Sequence, residues 1–254
     1  MIITNPKITG IEPCWAPFHG FSLLFDNPKD GLTPMASKLR KLNSDIVNNP
    51  DLLFYKTIAD SVTSIGRKLL IHTYLFCPLP SPSYHITVLD GLNEGNLQQV
   101  NSQHRPAIDD FLNNFPDSFA GQNPVITFAE DSLLLRKKDW NLSFKLDRLA
   151  NWGNVSLVAT LLPTDPYSSN YSKFIEERRI LAVKFRNEFS INVSIDFYPH
   201  LTIGYFANES LAESFTPKID EWTNALKNQA AEQRIIFNSI SLYGFMDMTT
   251  FFKR

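Results

Sequence analysis

The chain has 254 residues, 43% apolar and 13% aromatic, enough to bury a substantial core as one large domain or as two small lobes. Its formal net charge of −2 provides no overall positive field, which argues against a long duplex or RNA track and leaves a small anionic ligand, or the end of a polynucleotide, compatible. Cys14 and Cys77 are too isolated for a disulfide framework, zinc ribbon or redox pair; no apolar stretch reaches transmembrane length and the N-terminus lacks a signal-peptide pattern, so the expected location is cytoplasmic, with no membrane partner.

Phe18 to Phe25 reads as an early strand closed by the turn-rich run from Asp26 to Gly31. Met35, Leu39, Leu42 and Ile46 recur at helical spacing between Thr33-Pro34 and Asn48-Asn49-Pro50, which predicts an amphipathic helix. Between Asp51 and Arg67 the residues Leu52, Tyr55, Ala59, Val62 and Ile65 favour helix over strand. Leu69 to Phe76 is a compact apolar run expected as a strand, and the segment from Pro78 to Ser83 separates it from the extended run Tyr84-His85-Ile86-Thr87-Val88. Pro106 suits the start of a helix reaching about Phe115.

Punctuation at Pro116-Asp117 and Gly121-Gln122-Asn123-Pro124 is expected to end that helix, and a lobe boundary is placed near residue 120 within a single domain spanning 1–254. Beyond it, Val125 to Phe128, Leu133 to Arg136, Leu142 to Leu146 and Val155 to Leu162 are expected as strands. A long helix from Ser169 to Phe189 leads to a second extended run, Pro199-His200-Leu201-Thr202-Ile203. A further helix carries Leu211, Phe215, Ile219, Trp222 and Leu226, and strands from Arg234 to Leu242 and Phe245 to Phe252 close the chain around Tyr243-Gly244. The order of elements reads as an approximate duplication, a bilobal α+β fold with one histidine strand in each lobe.

The two histidine runs share one pattern: histidine, aliphatic, threonine, aliphatic. Side chains alternate across a strand, so His85 and Thr87 share one face and Ile86 and Val88 the other, and His200 and Thr202 repeat the arrangement. A lone histidine on a strand is more often a packed residue than a catalyst, but two of the five histidines falling by chance into such runs is on the order of one event in a thousand chains.

Imidazole has an unperturbed pKa of about 6.5 and can accept or donate a proton near neutrality. In phosphodiester cleavage one histidine takes a proton from the attacking hydroxyl or water while the other, as imidazolium, protonates the leaving oxygen. Each threonine hydroxyl can donate to a non-bridging phosphate oxygen. No cofactor is called for, and the chain carries no HExxH, phosphate loop, GxGxxG or GxSxG motif. Asp90 and Asp196, close in sequence to the histidines, could complete a metal-binding set, which is the weaker reading. Phasing assigns Tyr198 and Gly204 to the His200 face, and Tyr84 and Tyr205 to the core side. The basic runs Arg67-Lys68, Arg136-Lys137-Lys138 and Arg178-Arg179 are read first as solvated faces or turns.

The paired motifs His85-Ile86-Thr87-Val88 and His200-Leu201-Thr202-Ile203, with the Phe18-His19-Gly20 strand start and the approaches Pro80-Ser81-Pro82-Ser83-Tyr84 and Phe197-Tyr198-Pro199, resemble the 2H phosphoesterase superfamily, the RNA ligase and cyclic nucleotide phosphodiesterase-like group. The resemblance covers most of the chain in element order, and only the two tetrapeptides are specific. It implies a bilobal fold with antiparallel sheets lining a central cleft and helices outside. It also implies metal-independent chemistry on 2′,3′-cyclic or 2′,5′-linked ribonucleotide phosphoesters, with His85 and His200 as acid and base and Thr87 and Thr202 as phosphate binders. The segment from Asn49 to Arg67 is extra relative to the shortest members. A nucleotide-binding module without catalysis, and less favourably a metal-dependent hydrolase, are the competing functions.

Overall fold

The apolar runs flanking the two histidine motifs sort into two antiparallel sheets. In a computed structural model, residues 2–10, 15–29, 31–36 and 38–254 are described, so Cys14 and Asp30 lie outside the described residues. The first sheet has the order β2-β3-β11-β10-β1-β5, formed by β1 (Gly20–Phe25), β2 (Leu32–Ala36), β3 (Leu39–Leu42), β5 (Thr87–Asn93), β10 (Ile240–Phe245) and β11 (Phe251–Lys253). The second has the order β4-β8-β7-β6-β9, formed by β4 (Phe76–Pro78), β6 (Leu142–Trp152), β7 (Ser156–Pro163), β8 (His200–Phe206) and β9 (Ile235–Phe237). Each sheet takes strands from both sides of residue 120: β4 joins the second sheet, and β10 and β11 return to the first. The fold is α+β. Among the described residues no helix is long and apolar enough to cross a membrane.

Helices cover the sheets with the faces their sequences predict. Helix α7 (Ser169–Phe189) starts where the Ser168 hydroxyl accepts from the Tyr171 amide, and it buries Phe174, Leu181, Ala182, Phe185 and Phe189. Helix α8 (Glu209–Ala230), capped by Asn208, lays Phe215, Ile219, Trp222 and Leu226 against β6 and α1 (Leu53–Ile65). Each such fully buried large side chain contributes about 1.5–3 kcal/mol. On the first sheet, Phe115 and Phe119 pack on Phe252, beside α3 (Arg105–Asn113) and α4 (Asp117–Ala120).

Five expectations change. The stripe at 35–46 is a β2–β3 hairpin, because β11 offers its backbone as a partner (Phe252↔Lys41, Lys253↔Arg40), which local periodicity cannot report, while Pro34 is tolerated on the edge strand β2. The run at 69–76 is mostly helix α2 (Arg67–Tyr74), with Leu70 and Ile71 buried and Leu69 exposed; an apolar run this short fits either element. The segments at 125–128 and 133–136 are helices α5 (Pro124–Glu130) and α6 (Leu133–Arg136). The Asn123-Pro124 pair ends nothing: the Asn123 side chain accepts from the Val125 amide at 2.9 Å and Pro124 occupies the first helical position.

Finally, Tyr243-Gly244 is not a turn but the middle of β10, where a Cβ on Gly244 would meet the rings of Phe252 and Phe115 at 2.7 and 2.8 Å. The reversal falls at Asp247, whose carboxylate accepts from the amides of Thr249 and Thr250. The far end of β1 is tied to β10 and β11 by Asp26, which accepts from the hydroxyls of Ser239, Ser241 and Tyr243 and pairs with Lys253 at 3.0 Å. Burial pushes the Asp26 carboxyl upward, but Lys253 and the hydroxyls outweigh it and hold it below the usual range.

Candidate active site

Proline spacing shapes both approaches to the histidines. Pro80-Ser81-Pro82-Ser83 winds into a single turn of 3-10 helix, and its last carbonyl, Ser83 O, lies 2.8 Å from His85 Nδ1. Tyr84 anchors that turn: its carbonyl accepts from buried Asn27, whose amide oxygen accepts from the Tyr55 hydroxyl at 3.0 Å. In the second lobe the carbonyl of Tyr198 lies 2.9 Å from His200 Nδ1, again two residues back. A carbonyl carries no proton to give, so in both rings Nδ1–H donates and Nε2 is left for the cavity.

One contact joins the motifs. Ile86 and Leu201 form an antiparallel bridge between the sheets. That register sets His85 opposite Thr202 and Thr87 opposite His200, about a local two-fold axis. Directly opposed side chains on one face stand roughly 4.5–5.5 Å apart at Cβ, so the four functional groups form one cluster. Burial follows the alternation: Ile86, Val88, Leu201 and Ile203 are buried, whereas His85, Thr87, His200 and Thr202 are half-buried and line one cavity of about 570 Å³.

Aromatic rings hold each imidazole. Phe251 lies against His85 with centroids 4.1 Å apart, and Trp152 stacks on His200 at 4.4 Å. Burial lowers His85 to about 4, against its bond to Ser83, and the nearby His200 and Lys7 push the same way. His200 is also lowered, by burial first, while its bond to Tyr198 and the charge of Asp90 favour its protonated form. Burial thus favours the neutral form of both rings, with Lys7 pushing the same way, and only His200 has a carboxylate, Asp90, opposing it.

Tyr198 lines the cavity, 59% exposed at its mouth. Asp90 and Asp196 line it too, although among the described residues no three His, Cys, Asp or Glu side chains gather into a group that could hold a metal ion. Gly204 does not line it. A register shift between β7 and β8 leaves Leu157 opposite Gly204 and Val158 opposite Thr202, so β8 has one extra residue there and its phase flips. Gly204 instead faces β4, where a Cβ would sit 2.5 Å from the Cys77 carbonyl oxygen and from the Phe76 ring. Tyr205 is in the core, as expected, and 6% exposed, while its side chain also reaches the cavity wall. Gly204→Ala is accordingly expected to cost about 1–3 kcal/mol of stability in a denaturant titration, with KM unchanged.

Sequence reasoning missed Lys7 and ranked Arg178 first as a solvated residue. Lys7 reaches the cavity because the N-terminal segment is pinned to the end of β8, with the Thr4 amide on Ala207 O and the Asn5 side chain on Phe206 O; its ammonium then lies 5.0 Å from the Tyr205 ring centre. No local signal announces this. Arg178 is 6% exposed, with Nε donating to Val88 O and Nη1 to Ile195 O, each at 2.7 Å, and the guanidinium over the Phe197 ring. Its signal was present: it lies four residues after Phe174 on the apolar stripe of α7, which makes it the exception to the solvated reading of Arg178-Arg179.

Fold and cleft define an α+β protein whose two sheets meet at a paired His-x-Thr cavity. The sequence matches no protein-family model and no curated protein. Among solved structures the chain is similar to a conserved protein of unknown function from Agrobacterium tumefaciens strain C58, with a TM-score of 0.50 and 13% identity over 96% of this chain and 88% of that one. That likeness concerns the fold alone.

Proposed function

We propose that this protein is a metal-independent phosphodiesterase of the 2H type, acting on 2′,3′-cyclic or 2′,5′-linked ribonucleotide phosphoesters. The observation that carries the reading is the Ile86–Leu201 bridge, which puts two imidazoles and two hydroxyls around one gap, each imidazole anchored through Nδ1. His85, held neutral by burial, accepts the proton of the attacking water at Nε2. His200, with Asp90 favouring its cationic form, gives its Nε2 proton to the departing ribose oxygen. Thr87 and Thr202 donate to the non-bridging oxygens, and Lys7, which lines the same cavity, supplies positive charge where the phosphorane is most negative, while Arg178 ties the backbones on either side through Val88 O and Ile195 O. These groups cover both proton transfers and the charge, so the mechanism calls on no metal.

The test is hydrolysis of a 2′,3′-cyclic nucleotide in a strong chelator, followed from about pH 3 to about pH 8. The base must be deprotonated, so kcat/KM rises as pH climbs through about 4; the acid must be protonated, so kcat/KM falls as pH climbs through the His200 value, which lies below about 6.5. A bell with its maximum on the acid side of neutrality is expected. Asp90→Asn removes the charge that favours protonated His200 and moves the alkaline limb to lower pH, leaving the acid limb in place. Loss of all turnover in chelator, or binding of nucleotide with no hydrolysis at any pH, overturns the proposal.

A further inference from the structure

The chain leaves β1 without leaving β5. Phe25, the last residue of β1, donates its amide to Ile86 O at 3.1 Å, and the Asp26 amide turns the other way, to Ser239 O just before β10. In an antiparallel pair the next rung toward β5 falls two residues on, from position 27 to the carbonyl of position 84. Asn27 fills that rung with its side chain, Nδ2 donating to Tyr84 O at 2.8 Å. A carbonyl only accepts, so the amide nitrogen must face it, and Oδ1 is turned to the Tyr55 hydroxyl of α1 at 3.0 Å. Nδ2 also donates to Ser44 Oγ at 2.8 Å, and the Ser44 amide in turn donates to Pro82 O at 2.9 Å. Asn27 is 3% exposed, and burial pushes the Tyr55 hydroxyl well above its usual range, so it stays a donor.

Both bonds reach the turn at 80–84 from outside it, one directly and one through Ser44, and that turn presents Ser83 O to His85 Nδ1. The second lobe meets the same need with backbone. There the carbonyl of Pro199, the residue before His200, accepts from the Leu161 amide of β7 at 2.9 Å. Tyr84 holds the matching place before His85. The orientation of His85 therefore depends on the identity of one side chain, and that of His200 on the sheet itself.

We propose that Asn27 is a positioning residue for His85: its amide fixes the Ser83 carbonyl, which keeps the ring proton on Nδ1 and leaves Nε2 bare toward the cavity. Without that bond the turn shifts and Nδ1–H loses its acceptor. The ring then samples the Nε2–H tautomer, in which the nitrogen facing the cavity carries a proton and cannot act as a base. The consequence for turnover rests on the phosphodiesterase reading; the tautomer does not.

Side-chain ¹⁵N shifts of histidine-labelled protein at mildly alkaline pH, assigned from His85→Ala and His200→Ala, report each tautomer directly. In the wild type both rings are expected as Nδ1–H. In Asn27→Ala, His85 is expected to become a mixture of tautomers while His200 is unchanged. For a 2′,3′-cyclic nucleotide, kcat is expected to fall about tenfold to a hundredfold with KM within about twofold, the scale of a displacement near 1 Å. Tyr55→Phe keeps the ring that packs edge-on to Tyr84 and removes only the hydroxyl that aligns the amide. A smaller change of the same kind is expected, and this variant carries the test if Asn27→Ala does not fold. Ser61→Ala breaks the buried bond to Trp222 on the same helix, outside this set of contacts, and should leave the tautomer and kcat as in the wild type. An unchanged His85 tautomer in the Asn27 and Tyr55 variants, an equal change at His200, or an equal change in Ser61→Ala overturns the positioning role. A tautomer that depends on Asn27, in a protein that hydrolyses neither 2′,3′-cyclic nor 2′,5′-linked substrates, upholds the role and removes the phosphodiesterase; turnover with an indifferent tautomer does the reverse.

Discussion

His85→Ala and His200→Ala are each expected to lower kcat/KM for a 2′,3′-cyclic nucleotide by about a thousandfold, within the range of about a hundred- to ten-thousandfold that one positioned acid or base contributes. The fold should survive both. Each imidazole makes one hydrogen bond to a backbone carbonyl and one aromatic contact, so its removal costs about 1–3 kcal/mol, which circular dichroism and a denaturant midpoint would register as a shifted but cooperative transition. The pH profiles separate the roles. His85→Ala should lose the limb that rises through about 4, and His200→Ala the falling one. The double variant should be little worse than either single, because an acid and a base that act in one step do not contribute additively. Unchanged turnover in either single variant would remove that histidine from the chemistry.

The strand phase that makes this prediction possible was legible because it depends only on alternation: the residues after each histidine are buried, and the histidines and threonines half-buried. The long helices α7 and α8 were legible for a similar reason, since their stripes are long enough to fix a period of 3.6. Elements failed where partners far along the chain decided the outcome. Leu39 and Leu42 have helical spacing, but β11 supplies ladder partners that no window around residue 40 contains. Asn123-Pro124 was read as an ending because the same pair punctuates loops; only the side-chain bond to Val125 distinguishes a helix start.

At the site, the limit was phase and reach. Gly204 left the cavity because one extra residue in β8 flips the alternation beyond Thr202, and a bulge leaves little trace in composition. Lys7 is brought in by backbone bonds of an N-terminal segment whose own pattern is unremarkable. The aromatic walls, Phe251 and Trp152, come from strands in different sheets, so their pairing with the two histidines exists only in three dimensions.

Arg178 and Arg179 are adjacent, chemically identical and indistinguishable by composition, yet replacement by methionine is expected to separate them sharply. Arg179 is exposed, and Arg179→Met should leave stability within about 0.5 kcal/mol of the wild type. Arg178→Met leaves the buried carbonyl of Val88 without its donor, at about 1–3 kcal/mol, and frees the part-buried carbonyl of Ile195 as well. Val88 follows Thr87, and Ile195 lies in the segment that leads to Tyr198 and His200, so this one guanidinium spans the backbones that carry the two halves of the site. Removing it loosens the spacing between them, and a displacement near 1 Å is enough to cost about a hundredfold in rate. Arg178→Lys keeps the charge but cannot reach both carbonyls, so it should restore part of the stability and little of kcat/KM. That split between denaturant midpoint and turnover identifies a positioning residue. Equal behaviour of the Arg178 and Arg179 variants would remove Arg178 from the positioning of the two halves.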